Sequence, residues 1–320
     1  MTMLTIHQVA ERLRSFDNTL ILTHVRPDGD TVGSAAALCA GLRALGKTAY
    51  LLPNPELTDA TAPYFLPYEA PEGFHPERVI STDIASTSLF PENAKPYVDR
   101  VDLAIDHHPS FEGFGKEHYL RPSAAATGEI IYDILAALGP ITAEMALPLY
   151  VAVSTDCGCF AYSNTTAHTH AVASALLRTG IDFQAVNKTF FRTKSRKRLA
   201  LEAAMLGGAE YHDHGRVAVL SVPLSLMESV QATESDAEDL SALGGQIQGV
   251  DCAVTMRELR PGVWKFSLRT GPRVNATKAC ALLGGGGHAA AAGCTVEAPF
   301  AQAKGQMLEA IAQVVPDFTL

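Results

Sequence analysis

The chain has 320 residues, 47% of them hydrophobic, which is long enough for two domains with ordinary cores, and no apolar run approaches the ~18 residues that span a bilayer. With 25 Lys and Arg against 34 Asp and Glu the net charge is −9, so the surface as a whole is not that of a duplex-DNA binder, and an anionic substrate must be attracted locally, by metal ions or a small basic patch. Six cysteines (Cys39, Cys157, Cys159, Cys252, Cys280 and Cys294) lie scattered without a C-x-x-C pair, as in a reduced, cytoplasmic protein, and Cys157-Gly158-Cys159 reads as packing rather than zinc ligation.

Met1 to Phe16 carries an amphipathic helical pattern (Ile6, Val9, Ala10, Leu13) with charges throughout, unlike a signal or transit peptide. Thr19-Leu20-Ile21-Leu22-Thr23 is an apolar run of strand character that stops at His24, with Asp28 and Asp30 following within six residues. Pro27 and Gly29 punctuate a turn, and Ala35 to Leu45 is predicted helical, closed by Gly46. Two carboxylates so near one another repel unless protons or cations sit between them, which a divalent metal would explain; an ordinary Asp-Pro-Gly turn accounts for the same residues. An EF-hand is excluded, because counting from Asp28 places Val32 at the fifth loop position and Cys39 at the twelfth, where oxygen ligands are required. The choice turns on whether other strands also end in ligands.

Thr48 to Leu52 is predicted as the second strand, and the Pro-rich stretch Pro53 to Pro76 as a long loop with one short helix. Arg78 to Asp83 is an apolar strand ending in Asp, and Val101 to Pro109 another ending in Asp106-His107-His108. Helices at Ala125 to Leu138 and Thr142 to Thr155 follow, the second running into Asp156-Cys157-Gly158. This alternation predicts an α/β fold with an N-terminal doubly wound, mostly parallel sheet, whose carboxyl edge gathers His24, Asp28, Asp30, Asp83, His107 and Asp156. Each residue alone reads as a cap or turn; together they are the inventory for two divalent ions.

From Ile181 the pattern turns helical, and Thr193 to Arg198 opens a helix that reaches Leu206 before Gly207-Gly208. The expected organisation is a catalytic domain over 1–190, a connector helix over 191–212 and a smaller α/β substrate-binding domain over 213–320. The basic cluster Lys194 to Arg198 reads as a solvated helix face that can also help hold phosphates. Strands are predicted at Arg216 to Val222, Val250 to Glu258 and Trp264 to Arg269, with a helix near Asp236 to Leu243 and a last helix over Phe300 to Val314. Ala276 to Leu283 is predicted helical and runs into Gly284-Gly285-Gly286-Gly287-His288, where four glycines imply a backbone that something approaches closely. A dinucleotide fingerprint is excluded by the absence of a preceding strand; a phosphate- or sugar-binding loop with His288 as a contact remains, beside a tight packing turn.

The ordered set His24-x3-Asp28-x-Asp30, Asp83, Asp106-His107-His108 and Thr155-Asp156 resembles the motifs of the DHH phosphoesterase superfamily, and the glycine run resembles the signature of the DHH-associated C-terminal domain. The resemblance spans residues 20 to 293. Asp156 to Phe160 with Tyr162 to Thr166, and Ser267-Leu268-Arg269-Thr270, are similar to elements of the bifunctional oligoribonuclease and pAp phosphatase subfamily; Thr270 stands where that group has Ser, and Leu283 where it has Phe.

The resemblance implies that His24 and Asp28 hold one ion, Asp30, His107 and Asp156 the other, and that Asp83 bridges both. Imidazole and carboxylate ligands without thiolates suit Mn²⁺, then Mg²⁺ or Co²⁺, and such ions activate water and clamp phosphoryl oxygens. It implies further that His108 contacts the phosphate or protonates the leaving oxygen, while Asp106 orients an imidazole. Arg269, Gly285, Gly286, Gly287 and His288 would then grip the nucleotide. A site divided across a connector, with no extended basic channel, suits single-stranded RNA of about two to five nucleotides, dinucleotides and pAp, cut to 5′-mononucleotides. Cyclic di-AMP and its linear product pApA are the first alternative. A single-strand exonuclease or inorganic pyrophosphatase follows, disfavoured because pyrophosphate carries no base or ribose for the glycine loop to hold; a non-catalytic nucleotide-binding module comes last. A homodimer is left open.

Overall fold

The computed structural model describes residues 2–237 and 240–318, which fold as two units, Met1–Thr193 and Lys194–Leu320. The first unit runs β1 (Thr2–Met3), α1 (Ile6–Ser15), β2 (Thr19–Leu22), α2 (Gly29–Ala44), β3 (Ala49–Leu51), α3 (Ala62–Phe65), β4 (Arg78–Thr82), β5 (Leu103–Asp106) and β6 (Glu117–Leu120). Four helices follow: α4 (Thr127–Leu138), α5 (Ala143–Asp156), α6 (Ala167–Leu177) and α7 (Phe183–Asn187). The strands form one parallel sheet in the order β1-β6-β5-β4-β2-β3. Every residue of β2 and β5 is buried, as expected of central parallel strands covered on both faces.

Helix α2 begins six residues before the predicted start, because Asp28 caps it: Asp28 Oδ1 accepts from the N–H groups of Asp30 (3.0 Å) and Thr31 (3.1 Å). Gly29 is therefore the first helical residue and Asp30 rides on the first turn. The helix is buried from Gly29 to Leu42, and its small residues let α5 approach closely. A Cβ on Gly29 would meet the Thr155 side chain, and one on Gly33 would meet the Pro148 carbonyl. Strands β1 and β6 and helix α6 carry no pattern that announced them; β6 is half-buried throughout and β1 has two residues.

The second unit contains α8 (Arg196–Gly207), β7 (Glu210–His212), β8 (Val217–Val222), α9 (Leu224–Ser229), α10 (Ser241–Gly244), β9 (Cys252–Arg260), β10 (Val263–Thr270), α11 (Ala276–Ala281), β11 (Gly286–His288), β12 (Ala291–Glu297) and α12 (Phe300–Val314). Its sheet has the order β11-β12-β10-β9-β8-β7, with β8 and β9 parallel and the other pairs antiparallel. Helices α11 and α12 pack on one face through Phe266, Leu268, Met307 and Ile311. The helix expected over Asp236 to Leu243 is instead a 3₁₀ turn at Ser235–Ala237 and the short α10, with Glu238 and Asp239 outside the described residues. Among the described residues no helix is long and apolar enough to cross a membrane.

Candidate metal centre

Strands β5, β4 and β2 are neighbours, so their carboxyl ends deliver Asp106-His107-His108, Asp83 and His24 to one edge of the sheet. The cap and first turn of α2 bring Asp28 and Asp30 there, and the end of α5 brings Asp156. Candidate ligand atoms fall into overlapping groups lying within 4.8 Å of one another: His24, Asp28 and Asp83; Asp30, His107 and Asp156; and Asp83, His107 and His108. His24 Nε2 stands 3.6 Å from Asp28 Oδ1 and 3.8 Å from Asp83 Oδ2. His107 Nε2 stands 3.8 Å from Asp30 Oδ2, 3.7 Å from Asp83 Oδ1 and 3.6 Å from Asp156 Oδ2. These separations are too long for hydrogen bonds and suit donors spaced around a shared cation. Asp83 turns one oxygen to each imidazole.

Four of the candidate ligand side chains, His24, His107, Asp83 and Asp30, are aimed by contacts outside the cluster. The Nδ1–H of His24 donates to Val25 O (2.8 Å) and that of His107 to Ala124 O (3.1 Å), which leaves both Nε2 lone pairs facing inward. Asp83 has left-handed backbone, φ 61°, a strained state for a residue with a Cβ, held by its N–H to Ile105 O (2.9 Å) and by Thr127 Oγ1 donating to Oδ1 (2.9 Å). Asp30 accepts from the N–H of Thr127 (2.7 Å, Oδ2), the N–H of Gly128 (2.9 Å, Oδ1) and Ser34 Oγ (3.0 Å, Oδ1). The first turn of α4 thus grips this carboxylate as helix N-termini grip anions, and Oδ2 keeps a lone pair for a cation.

The electrostatics point the same way. Burial first, then the neighbouring carboxylates, push Asp30 and Asp83 well above the ordinary carboxyl range and Asp156 up to about 7. Such acids cannot all be ionised at neutral pH without cations between them. Imidazole nitrogens and carboxylate oxygens with no thiolate form the donor set of Mn²⁺ or Mg²⁺, so the residues present fit two divalent ions.

His108 stands apart from the inward-facing imidazoles. Its Nδ1–H and its backbone N–H both donate to Asp106 Oδ1, at 2.7 and 2.8 Å, so buried Asp106 orients His108 and leaves the candidate ligand His107 to the Ala124 carbonyl. That hydrogen bond is the main cause raising the His108 pKa above its ordinary value, and 41% of the side chain is exposed. A protonated imidazole at the rim of a metal cluster can donate to an incoming oxygen. Sequence reasoning missed Ser34, Thr127 and Gly128, and assigned no role to Asn164, whose amide donates to the Asp156 carbonyl (3.1 Å). The small-residue run Ala124 to Gly128 at a helix start was the available signal for two of them.

In the second unit, cross-strand register sets Arg269 of β10 opposite Ala291 of β12, and Ala291 opposite His288 of β11. Arg269 and His288 therefore share a sheet face, flanking a small residue, and no carboxylate pairs with Arg269 among the described residues. The glycine run continues into the β11–β12 hairpin. A Cβ on Gly285 would meet Gly293 O and Cys294, and one on Gly287, at φ 142°, would lie 2.6 Å from Ala291 O. The close approach at these two positions is made by β12 itself. Gly286 and His288 face open space.

Residues 18–153 match the DHH family, N-terminal domain, and residues 217–317 match the DHHA1 domain. The bifunctional oligoribonuclease and PAP phosphatase NrnA of Thermus thermophilus is 34% identical over 313 residues, 95% of this chain and 92% of that one. The chain belongs to the DHH family. It is accordingly a hydrolase acting on phosphoester bonds. A second DHH relative, the Bacillus subtilis protein of the same description, is 24% identical over 88% of this chain and 90% of its own. An exopolyphosphatase-related protein from Bacteroides fragilis shares the fold, with a TM-score of 0.86 at 22% identity, covering 97% of this chain and 96% of that one.

Proposed function

We propose that this DHH phosphoesterase cleaves short oligoribonucleotides and dinucleotides to 5′-mononucleotides, and removes a phosphate from pAp, with two divalent cations, Mn²⁺ foremost and Mg²⁺ or Co²⁺ as substitutes. The observation that carries the reading is the place of Asp83 between two ligand groups, with Oδ2 3.8 Å from His24 Nε2 of one and Oδ1 3.7 Å from His107 Nε2 of the other. In this reading His24 and Asp28 hold one cation, Asp30, His107 and Asp156 the other, and Asp83 both. When bound, the cations supply Lewis acidity and a water-derived nucleophile at neutral pH. His108, whose pKa is raised by its hydrogen bond to Asp106, donates its proton to the leaving oxygen. Residues 1–190 carry this chemistry, 191–212 connect, and 213–320 grip the nucleotide, with Arg269 on a phosphate and Gly286 and His288 on phosphate or ribose.

Short RNA and pAp as substrates are supported by the descriptions of the Thermus and Bacillus relatives, and a net charge of −9 disfavours the extended basic channel that long strands need. The experiment compares kcat/KM for pApA, other dinucleotides, pAp and cyclic di-AMP with Mn²⁺ present. Dinucleotides and pAp are expected to lead; a lead for cyclic di-AMP would replace the substrate assignment. Release of neither phosphate nor mononucleotide from any of them would overturn the reading.

A further inference from the structure

The segment after Asp156 is strained and tightly tied. Gly158, Cys159 and Phe160 are left-handed in succession, at φ 57°, 54° and 68°, and two of them carry a Cβ. The conformation is held by Cys159 N–H to Ser154 O (2.7 Å), by Ala161 and Tyr162 N–H to Cys157 O (3.1 Å each), and by the Asn164 amide, which donates to Asp156 O and Ala125 O (3.1 and 3.0 Å). Phe160 turns inward and stacks on His170, with centroids 5.3 Å apart and planes at 24°. Tyr162 goes the other way. Its ring packs on the bare Cα of Gly158, with Cε1 and Cζ only 2.5 Å from where a Cβ would stand, so Gly158 provides the seat for the ring. The residue is 59% exposed, the one aromatic more than about a third exposed among the described residues of the first unit, and its hydroxyl has no hydrogen-bond partner there.

A fixed aromatic ring, open to solvent and tied by backbone bonds to the neighbour of a cation ligand, has the form of a stacking platform. Stacking accepts any base because every base presents a π-face. We infer that Tyr162 stacks on a nucleobase flanking the phosphate held at the Asp156 side of the centre, and so selects nucleotides over simpler phosphoesters. This rests on the substrate class proposed above.

The test measures kcat/KM with Mn²⁺ for pApA and for two abasic counterparts, lacking the 5′ or the 3′ adenine, in the wild type, Tyr162→Ala and Tyr162→Phe. Tyr162→Ala is expected to lose roughly 10- to 100-fold on pApA, the worth of one base–aromatic stack, and nothing on the counterpart without the stacked base. Tyr162→Phe should retain wild-type activity, and bound Mn²⁺ should be the same in all three proteins. An undiminished Tyr162→Ala, an equal loss on all three substrates, or Mn²⁺ lost with the ring would overturn the stacking role alone. A wild type inactive on pApA would overturn the substrate class and this inference with it.

Discussion

At the scale of single residues, the sharpest division of labour is between the adjacent imidazoles of His107 and His108, whose ring centroids are 4.4 Å apart. His107 faces the carboxylate cluster and has its pKa lowered, chiefly by burial; His108 is raised, chiefly by Asp106. Cations in the cluster would cancel the pull of Asp30 and Asp156 on His108, but not its direct bond to Asp106. If His108 acts as the proton donor, activity falls as pH rises through its pKa, and a raised pKa extends activity to higher pH. Asp106→Asn removes the charge that raises it, so the alkaline limb of the kcat/KM profile should move to lower pH, with a loss of about 10- to 100-fold at neutral pH. An unmoved alkaline limb would assign the proton to another group.

At the scale of elements, the glycine run separates what the fold requires from what a ligand would require. Gly285→Ala forces a Cβ against the Gly293 carbonyl of β12 and should destabilise the second unit by about 1–3 kcal/mol in urea unfolding. Gly286→Ala meets open space and should leave stability unchanged, so any loss of kcat/KM it causes reports a close approach of substrate to the backbone. The strand ends that carry the candidate ligands were legible because β2, β4 and β5 are short apolar runs, each followed within two residues by His or Asp. The β11–β12 hairpin was not, because its Gly and Ala residues lack strand propensity and form strands only through pairing with β10. The helix start at Asp28 was hidden by Pro27 and Gly29, which read as a turn until the cap bonds are seen. The clamp on Asp30 was illegible for another reason: its donor, the Thr127 N–H, lies 97 residues away in the chain.

At the scale of the whole molecule, the proposed function places the chemistry and the Tyr162 stack in the first unit and the grip of Arg269 and His288 in the second. Arg269→Ala and His288→Ala should therefore leave bound Mn²⁺ unchanged while raising KM on dinucleotides. A charge-assisted contact contributes about 1.5–3 kcal/mol and a neutral one about 0.5–1.5 kcal/mol, so Arg269→Ala should be the more damaging. The losses should shrink on bis-p-nitrophenyl phosphate, which has no second nucleotide to grip; equal losses on both substrates would place these residues in the chemistry or in folding. Beneath this division lies the claim that one carboxylate serves two cations. The direct measurement is the number of Mn²⁺ ions bound per chain, with pApA hydrolysis followed in parallel, in the wild type, Asp28→Ala and Asp83→Ala. Two ions are expected in the wild type, weakening of chiefly one in Asp28→Ala, and loss of both together with activity in Asp83→Ala. Two fully retained ions in Asp83→Ala would contradict that claim.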